Sequence, residues 1–594
     1  MAFVYILEFG SQTTDLIGKR LEEMGVPVKY GRSSTPAEEL KGADGVIISG
    51  GPKGANQPDA YPYDPRLFQI EKPVLGICYG HQLGAKEFGA RLHKKTREYG
   101  ETEMLLTGRD PLLEGFDEKE IVWMNHGDSI TDGNFSILGY TEKGVPAMMR
   151  RGNFFGVQYH PEVTHTEKGK VLLGNFARAC GFVPRELGFD ADNFIEEAIV
   201  RLKEEVGDAT LAAYLSGGVD STAAVMLAKM AGLRILPVYM EMGNGRKGEA
   251  NFAYTQLSRL LEQELYIHDR AASFVAGLYG IHDSEAKRKA FQKMYDATRE
   301  EIENQFDARN TVLFDGTIET DKRESGQETR SEQGKDSGTV DTIKTHHNTG
   351  KWKGRKASPL ANLTKERTRI VARRLGLPAE ISERQPFPGP GLFVRISTGY
   401  YEVPTQLFHY AQEISRSYDM DAFVLPRKSV GLKGDSRALE HAAVITGARE
   451  WKNIRRASKQ LIEDLAICRV LYAPSGQRFA DSDINKAAPY ELDNETLYRL
   501  REVTDVVEGK MDKHGVVSSQ TPVITFGGPD GWINVIRDVN SKDFRTLRPL
   551  RKPDEFSWEC YEEIDRGIKK RLGSDAGITT FDVSDKPGGT TEWE

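Results

Sequence analysis

Cysteine is scarce, with Cys78, Cys180, Cys468 and Cys560 scattered along 594 residues. That spacing suggests neither a disulfide framework nor a cysteine-based zinc site, so each thiol is judged singly. No apolar run approaches the length of a membrane span. Met1-Ala2-Phe3-Val4 opens what reads as a strand and lacks the basic start of a signal peptide, so a cytoplasmic location and no membrane partner are expected. A basic excess is absent too. The net charge of -8 argues against a protein built to coat nucleic acid. Local runs such as Lys351-Trp352-Lys353-Gly354-Arg355-Lys356 are solvated loop by default, with phosphate contact as the sharper reading. What is present is a globular composition, 39% hydrophobic and 28% charged. The length suits roughly two to four domains.

The chain is organised around Leu215-Ser216-Gly217-Gly218-Val219-Asp220-Ser221-Thr222. Thr210 to Tyr214 before it is apolar enough for a buried strand, and Val219 to Lys229 after it has helical composition. A strand, a glycine turn and a new helix make an anion seat: the glycines let the backbone approach a ligand, and the helix start attracts phosphate. Ser216, Ser221 and Thr222 add hydroxyl donors. A short Ser-Gly-Gly turn alone is as readily an ordinary capped connection. The full string lacks the Lys-Ser/Thr ending of a Walker loop and resembles the pyrophosphate loop of the N-type ATP pyrophosphatases. That resemblance implies attack by a substrate oxygen on the α-phosphate of ATP, with pyrophosphate leaving.

The first segment reads as alternating α/β. Phe3 to Leu7, Gly45 to Ile48 and Val74 to Ile77 are short apolar runs, with helical stretches such as Thr14 to Met24 between them. At the carboxyl edge, where such sheets place their chemistry, lies Gly76-Ile77-Cys78-Tyr79-Gly80. Gly-x-Cys-x-Gly suits a nucleophile elbow, and a helix start favours the thiolate. A lone cysteine is more often a buried small hydrophobe. The later string Gly156-Val157-Gln158-Tyr159-His160-Pro161-Glu162 changes that balance, because His160 can act as base and Glu162 can orient it. Gly50 and Gly51 are candidate oxyanion-hole backbone donors. Together these motifs resemble the class I glutamine amidotransferases. The likeness implies that Cys78 attacks the glutamine amide, releases ammonia and leaves a thioester for water to cleave.

Phe182-Val183-Pro184-Arg185 breaks the helical pattern and marks a linker. Beyond it, Ile235 to Tyr239, Leu265 to His268 and Asn310 to Phe314 are strand candidates, with helices at Glu249 to Glu262 and Ser284 to Asn304. Asp321 to Thr339 is dense in charge, serine and glycine, and reads as a mobile loop suited to a lid. Lys344 suits phosphate as a point charge. His346 and His347 lack an evident third ligand, so no transition metal is expected.

Arg384-Gln385-Pro386-Phe387-Pro388-Gly389-Pro390-Gly391-Leu392 and the tail Asp585-Lys586-Pro587-Gly588-Gly589-Thr590-Thr591-Glu592-Trp593-Glu594 resemble the glutamine-hydrolysing GMP synthase family. A Pro-Gly string alone reads as a rigid connector, and a tail alone frays. The resemblance implies that XMP O2 attacks ATP to give adenyl-XMP, which ammonia converts to GMP and AMP. It also implies Mg2+ on the polyphosphate, with Asp220 helping to hold it, and XMP contacts at Lys586 and Glu592.

From Arg384 on, two stretches read as copies of one unit. The first contains Ser429-Val430-Gly431-Leu432-Lys433-Gly434-Asp435 and ends near Arg469 to Tyr472. The second runs through Gln520 to Ile524, Trp532 to Arg537 and Ser557 to Leu572, ending near Ile578 to Phe581. This pattern resembles the longer, eukaryote-like form of the family, in which the dimerisation unit is duplicated; a plain insertion of mixed helix and loop is the other reading. The resemblance makes Asp435 and Gln520 further XMP candidates and favours a monomer, with a homodimer as the alternative.

The expected architecture is an amidotransferase α/β domain at 1–185, a doubly wound ATP pyrophosphatase domain at 190–383 and an α+β C-terminal region at 384–594. Met240-Glu241-Met242-Gly243 and Gly316 to Asp321 depart from the family's usual strings, which leaves nucleotide contacts there open. Other readings are a glutamine-fed adenylating enzyme such as one making NAD, which should lack the 387–392 motif and the tail, and a nucleotide-binding regulator without catalysis.

Overall fold

Gly45–Ile48, Val74–Ile77 and Phe154–Val157 are buried along their whole length, as parallel strands covered on both faces require. With Val4–Glu8 and Val28–Arg32 they form the parallel half of one sheet, in the order Val28–Arg32, Val4–Glu8, Gly45–Ile48, Val74–Ile77, Phe154–Val157. The computed structural model describes residues 2–93, 96–131, 133–318, 352, 354–433, 436–476, 479–541, 546–550, 555–585, 588–590 and 592–593. It extends this sheet to nine strands. The additional strands Pro146–Arg151, Ser136–Thr141, Glu98–Leu106 and Lys119–His126 are antiparallel.

Residues 182–190 carry neither helix nor strand, in keeping with the Phe182 to Arg185 break. The next sheet has five strands, all parallel: Tyr266–Asp269, Arg234–Glu241, Thr210–Tyr214, Thr311–Phe314, Arg355–Ala357. Thr210–Tyr214 is central, and the chain winds outward from it in both directions. The strand order therefore reverses beside it, and the crevice at that switch point is where such sheets take ligands. Leu211, Ala213, Val219, Ala223, Leu227 and Val371 share its core.

The C-terminal region repeats one order of elements. Helix Thr405–Arg416, strands Met420–Lys433 and Ser436–Gly447, helix Trp451–Asp464 and strand Ile467–Tyr472 come first. Helix Asn494–Lys513, strands Val523–Gly528 and Gly531–Ile536, helix Trp558–Leu572 and strand Ile578–Asp582 follow, with two short strands inserted. Both sets share a seven-stranded sheet, joined through the antiparallel contact of Ile467–Tyr472 with Ile578–Asp582. Trp451 and Trp558, first residues of corresponding helices, stack with centroids 4.7 Å apart and an interplanar angle of 10°.

Cores cross the expected boundary near 383. Phe274, Leu278 and Phe291 pack with Leu392, Phe393 and Leu500, so helices Ala271–Leu278 and Ser284–Glu303 belong physically to the C-terminal core.

Candidate functional site

Cys78 sits between strand Val74–Ile77 and helix Tyr79–Glu87 with φ 50°, a strained value for a non-glycine residue. The elbow needs small neighbours: a Cβ on Gly76 would lie 2.5 Å from the Gly80 carbonyl oxygen, and one on Gly80 would lie 2.5 Å from that of Ile48. The Cys78 N–H donates to the Val157 carbonyl at 2.8 Å. Its Sγ lies 3.6 Å from the Asn125 carbonyl and 3.6 Å from Gln158 Nε2.

His160 reaches the same place from the end of strand Phe154–Val157, which pairs with Val74–Ile77. Its Nδ1 is 2.8 Å from Glu162 Oε1, and Thr13 Oγ1 donates to that oxygen at 2.6 Å. Burial opposes a charge on the ring, but the Glu162 carboxylate and the Cys78 sulfur outweigh it and hold His160 well above the ordinary imidazole value. His81, also buried and close to the elbow, behaves in the opposite way: burial dominates and pushes it down to about 3. Of the two histidines, only His160 is held toward its protonated form beside the Cys78 sulfur.

Gly50 approaches this ring, since a Cβ there would meet His160 Cε1 at 3.2 Å. Gly51 is packed so closely against the Phe9 carbonyl that a Cβ would collide with it. Motif reading does not single out Thr13 or Asn125, which the fold brings in from the start of helix Thr14–Glu23 and from strand Lys119–His126; Gln158 lies inside the string that carries His160.

The second site lies at the switch point of the five-stranded sheet. Gly217 has φ +73°, and Val219–Met230 starts immediately after Gly218. Ser216 Oγ and Ser221 Oγ are 3.1 Å apart, Gly218 N–H donates to Ser216 Oγ at 3.3 Å, and Thr222 Oγ1 donates to the Gly218 carbonyl at 2.8 Å. Gly316 presses on the helix start, where a Cβ would collide with the Ser221 backbone nitrogen. Asp220 Oδ2 pairs with Lys365 Nζ at 2.5 Å, while its buried Oδ1 has no hydrogen-bond partner among the described residues. A lone carboxylate oxygen of this kind suits Mg2+, which takes one or two carboxylates alongside substrate phosphates.

Arg384 ties the Pro-Gly motif to this loop. Its Nη1 donates to the Gly217 carbonyl at 3.4 Å, and its Nη2 pairs with Glu249 at 2.9 Å. Asn244 secures the rest of the motif, donating to the Gly389 carbonyl at 2.7 Å and accepting from Leu392 N–H at 2.8 Å.

Gln520 and Glu592 meet in the C-terminal region. Gln520 Nε2 donates to Glu592 Oε1 at 3.1 Å, and Arg395 grips the carboxylate with Nε at 3.1 Å and Nη2 at 3.0 Å. Arg395 follows the Pro-Gly motif closely, a position that could have flagged it. The neighbouring Trp593 is fully buried, stacks on Phe526 and donates to Asp582 at 3.2 Å. Lys344, Asp435 and Lys586, with His346 and His347, lie outside the described residues.

An elbow cysteine with a His-Glu pair beside a mixed sheet defines a class I glutamine amidotransferase, here carried with a second, all-parallel α/β sheet. The family profile "Glutamine amidotransferase class-I" matches residues 5–180. "GMP synthase [glutamine-hydrolyzing]" of Enterococcus faecalis is 32% identical over 508 residues, 79% of this chain and 95% of that one. The protein of the same name from Carboxydothermus hydrogenoformans is 35% identical over 467 residues, 74% of this chain and 89% of that one. A solved structure of a putative GMP synthase subunit from Thermoplasma acidophilum is 27% identical, covering 30% of this chain and 94% of its own, with a TM-score of 0.28. The chain belongs to the glutamine-hydrolysing GMP synthase family.

Proposed function

We propose that this protein aminates XMP to GMP, using glutamine as nitrogen donor and converting ATP to AMP and pyrophosphate. What carries the reading is the pairing of His160 with Glu162 at 2.8 Å beside the strained Cys78, in a chain that also holds the Ser216–Thr222 loop. Cys78 attacks the side-chain amide of glutamine as thiolate, and His160 hands a proton to the departing ammonia. A glutamyl thioester remains, which water cleaves with His160 as base. Gly50 and Gly51 flank the oxyanion.

At the second site the backbone of Ser216 to Thr222 and the side chain of Lys344 receive the phosphates of ATP. Asp220 is the residue to hold Mg2+, which when bound neutralises polyphosphate charge. XMP O2 attacks the α-phosphate, pyrophosphate leaves, and ammonia then displaces AMP from adenyl-XMP. Asp435, Gln520, Lys586 and Glu592 hold XMP.

The functional divisions are 1–185, 190–383 and 384–594. The repeated helix-strand-strand-helix-strand order supports two copies of a dimerisation unit that pair internally, hence a monomer. No helix among the described residues is long and apolar enough to cross a membrane. No disulfide links any of the four cysteines. Both facts suit the cytoplasm.

The test is pyrophosphate and GMP formation from purified protein with XMP, ATP, Mg2+ and either glutamine or ammonium. GMP from both donors is expected. Neither product from folded protein would overturn the reading.

A further inference from the structure

The Pro-Gly motif begins just after helix Ala379–Ser382, and its first two side chains reach different parts of the molecule. Arg384 turns to the five-stranded sheet: it donates to the Gly217 carbonyl, pairs with Glu249 at the start of helix Glu249–Leu261, and lies over the Phe252 ring at 4.2 Å. Gln385 turns to the C-terminal region. Its Nε2 donates to the Ser518 carbonyl at 3.4 Å, and its Oε1 accepts from the Thr521 N–H at 2.9 Å. Pro386 favours extended backbone at Gln385, in which neighbouring side chains point to opposite sides. Two residues further on, the Phe387 ring lies under the Arg395 guanidinium at 4.9 Å, and Arg395 clamps Glu592.

Ser518 and Thr521 stand at the separation where a carbonyl and an N–H close a turn directly. Here the Gln385 amide stands between them, giving a donor to one and an acceptor to the other as a peptide group would. Gln520 lies inside that turn. Gln520 and Thr521 are both buried, the Gln520 backbone is bridged to Val539, and the Gln520 side chain donates to Glu592. Without the amide, either the Thr521 N–H loses its acceptor in a buried position or the turn closes on itself. Both outcomes move Gln520.

We infer that Arg384 and Gln385 set the separation between the two nucleotides in the adenylation step, with Gln385 a positioning residue that acts through the 518–521 turn. This rests on the functional reading above, in which XMP O2 attacks the α-phosphate of ATP. The ATP loop and the XMP contacts belong to different sheets, so their spacing depends on what joins them. Arg384 and Gln385 join them across a single peptide bond. Attack by one bound substrate on another is sensitive to spacing, and a misplacement of about 1 Å costs on the order of 10²-fold.

The test is pyrophosphate release by the full-length chain with XMP, ATP, Mg2+ and ammonium. Gln385→Met keeps the length and loses both hydrogen bonds, whereas Gln385→Glu keeps the acceptor and loses the donor. In both, kcat should fall about ten- to hundred-fold and KM for XMP should rise, while KM for ATP and nucleotide-free glutamine hydrolysis stay within about two-fold of the parent. Protonation of the introduced carboxyl restores a donor toward Ser518. The rate of Gln385→Glu relative to the parent should therefore climb as pH falls toward about 5, and that of Gln385→Met should not. A general loosening of the fold would not separate the two variants in this way. Parent-like kcat in folded Gln385→Met, or a deficit in Gln385→Glu that pH leaves unchanged, would overturn the inference. A parent chain that releases no pyrophosphate would instead overturn the functional reading, and amide hydrogen exchange across 518–521 would still judge the positioning role: faster exchange in Gln385→Met supports it, and unchanged exchange overturns it.

Discussion

Gln520 and Glu592, 72 residues apart in sequence, are joined by a 3.1 Å hydrogen bond, and Arg395 clamps the same carboxylate from a position where its own side chain is 2% exposed. The tail is therefore a built part of the C-terminal region. A bidentate guanidinium fixes a carboxylate in orientation as well as position, and so pre-organises it for a ligand.

Replacing Glu592 by Gln preserves the shape but leaves Arg395 buried without its counter-charge. Losing a hydrogen bond to a charged group costs about 1.5–3 kcal/mol, so KM for XMP should rise about 10–100-fold. KM for glutamine in hydrolysis without nucleotide should hold. Steady-state titration of XMP with ammonium as donor measures the effect, and an unchanged KM would remove Glu592 from the XMP site.

Cys78→Ala should abolish glutamine-dependent GMP formation, since losing a nucleophile costs on the order of 10⁶ in turnover. Synthesis from ammonium should persist. Measuring GMP from both donors on the same preparation separates the two sites, and loss of both in folded protein would contradict their division of labour.

Motif reading locates Cys78, His160 and Glu162 because local strings carry their chemistry: small residues around an elbow, and a histidine two positions from a carboxylate. It does not find Thr13, whose hydroxyl reaches Glu162 across 149 residues, or Lys365, which meets Asp220 across 145. Such partners are chosen by strand order and helix packing, which leave no local signature. Parallel strands such as Gly45–Ile48 are legible as continuous apolar runs. The antiparallel strand Glu98–Leu106 is not, because Glu98, Glu101 and Glu103 interrupt its apolar pattern. Glu98 is buried there opposite His126, a partner that strand pairing supplies.

The pH dependence of glutamine hydrolysis should report the His160–Glu162 pair. The raised value of His160 means that its proton is present through neutrality and lost only as pH rises through that value. The rate should therefore fall on an alkaline limb well above 6.5, the ordinary imidazole value. Glu162→Gln removes the carboxylate and leaves burial as a stronger opponent of the charge, so the limb should move to lower pH. Turnover at neutral pH should drop on the order of 10²-fold. A limb that stays in place would show that Glu162 does not set the charge of His160.

Asp220 has two oxygens with different tasks: Oδ2 holds Lys365 at 2.5 Å, and the buried Oδ1 lacks a partner among the described residues. Asp220→Asn keeps the volume and one oxygen but removes the charge that would attract Mg2+, and it leaves Lys365 without its counter-ion. Both effects act before the α-phosphate is attacked, so pyrophosphate release should fall on the order of 10²-fold with either nitrogen donor, and the Mg2+ concentration for half-maximal rate should rise. Lys365→Met separates the two contributions, because it removes the cation and leaves the carboxylate. If Asp220 acts through the metal, Lys365→Met should lower the Mg2+ requirement as the competing cation disappears. A raised requirement in both variants would instead assign the phosphates to Lys365 and reduce Asp220 to the residue that positions it.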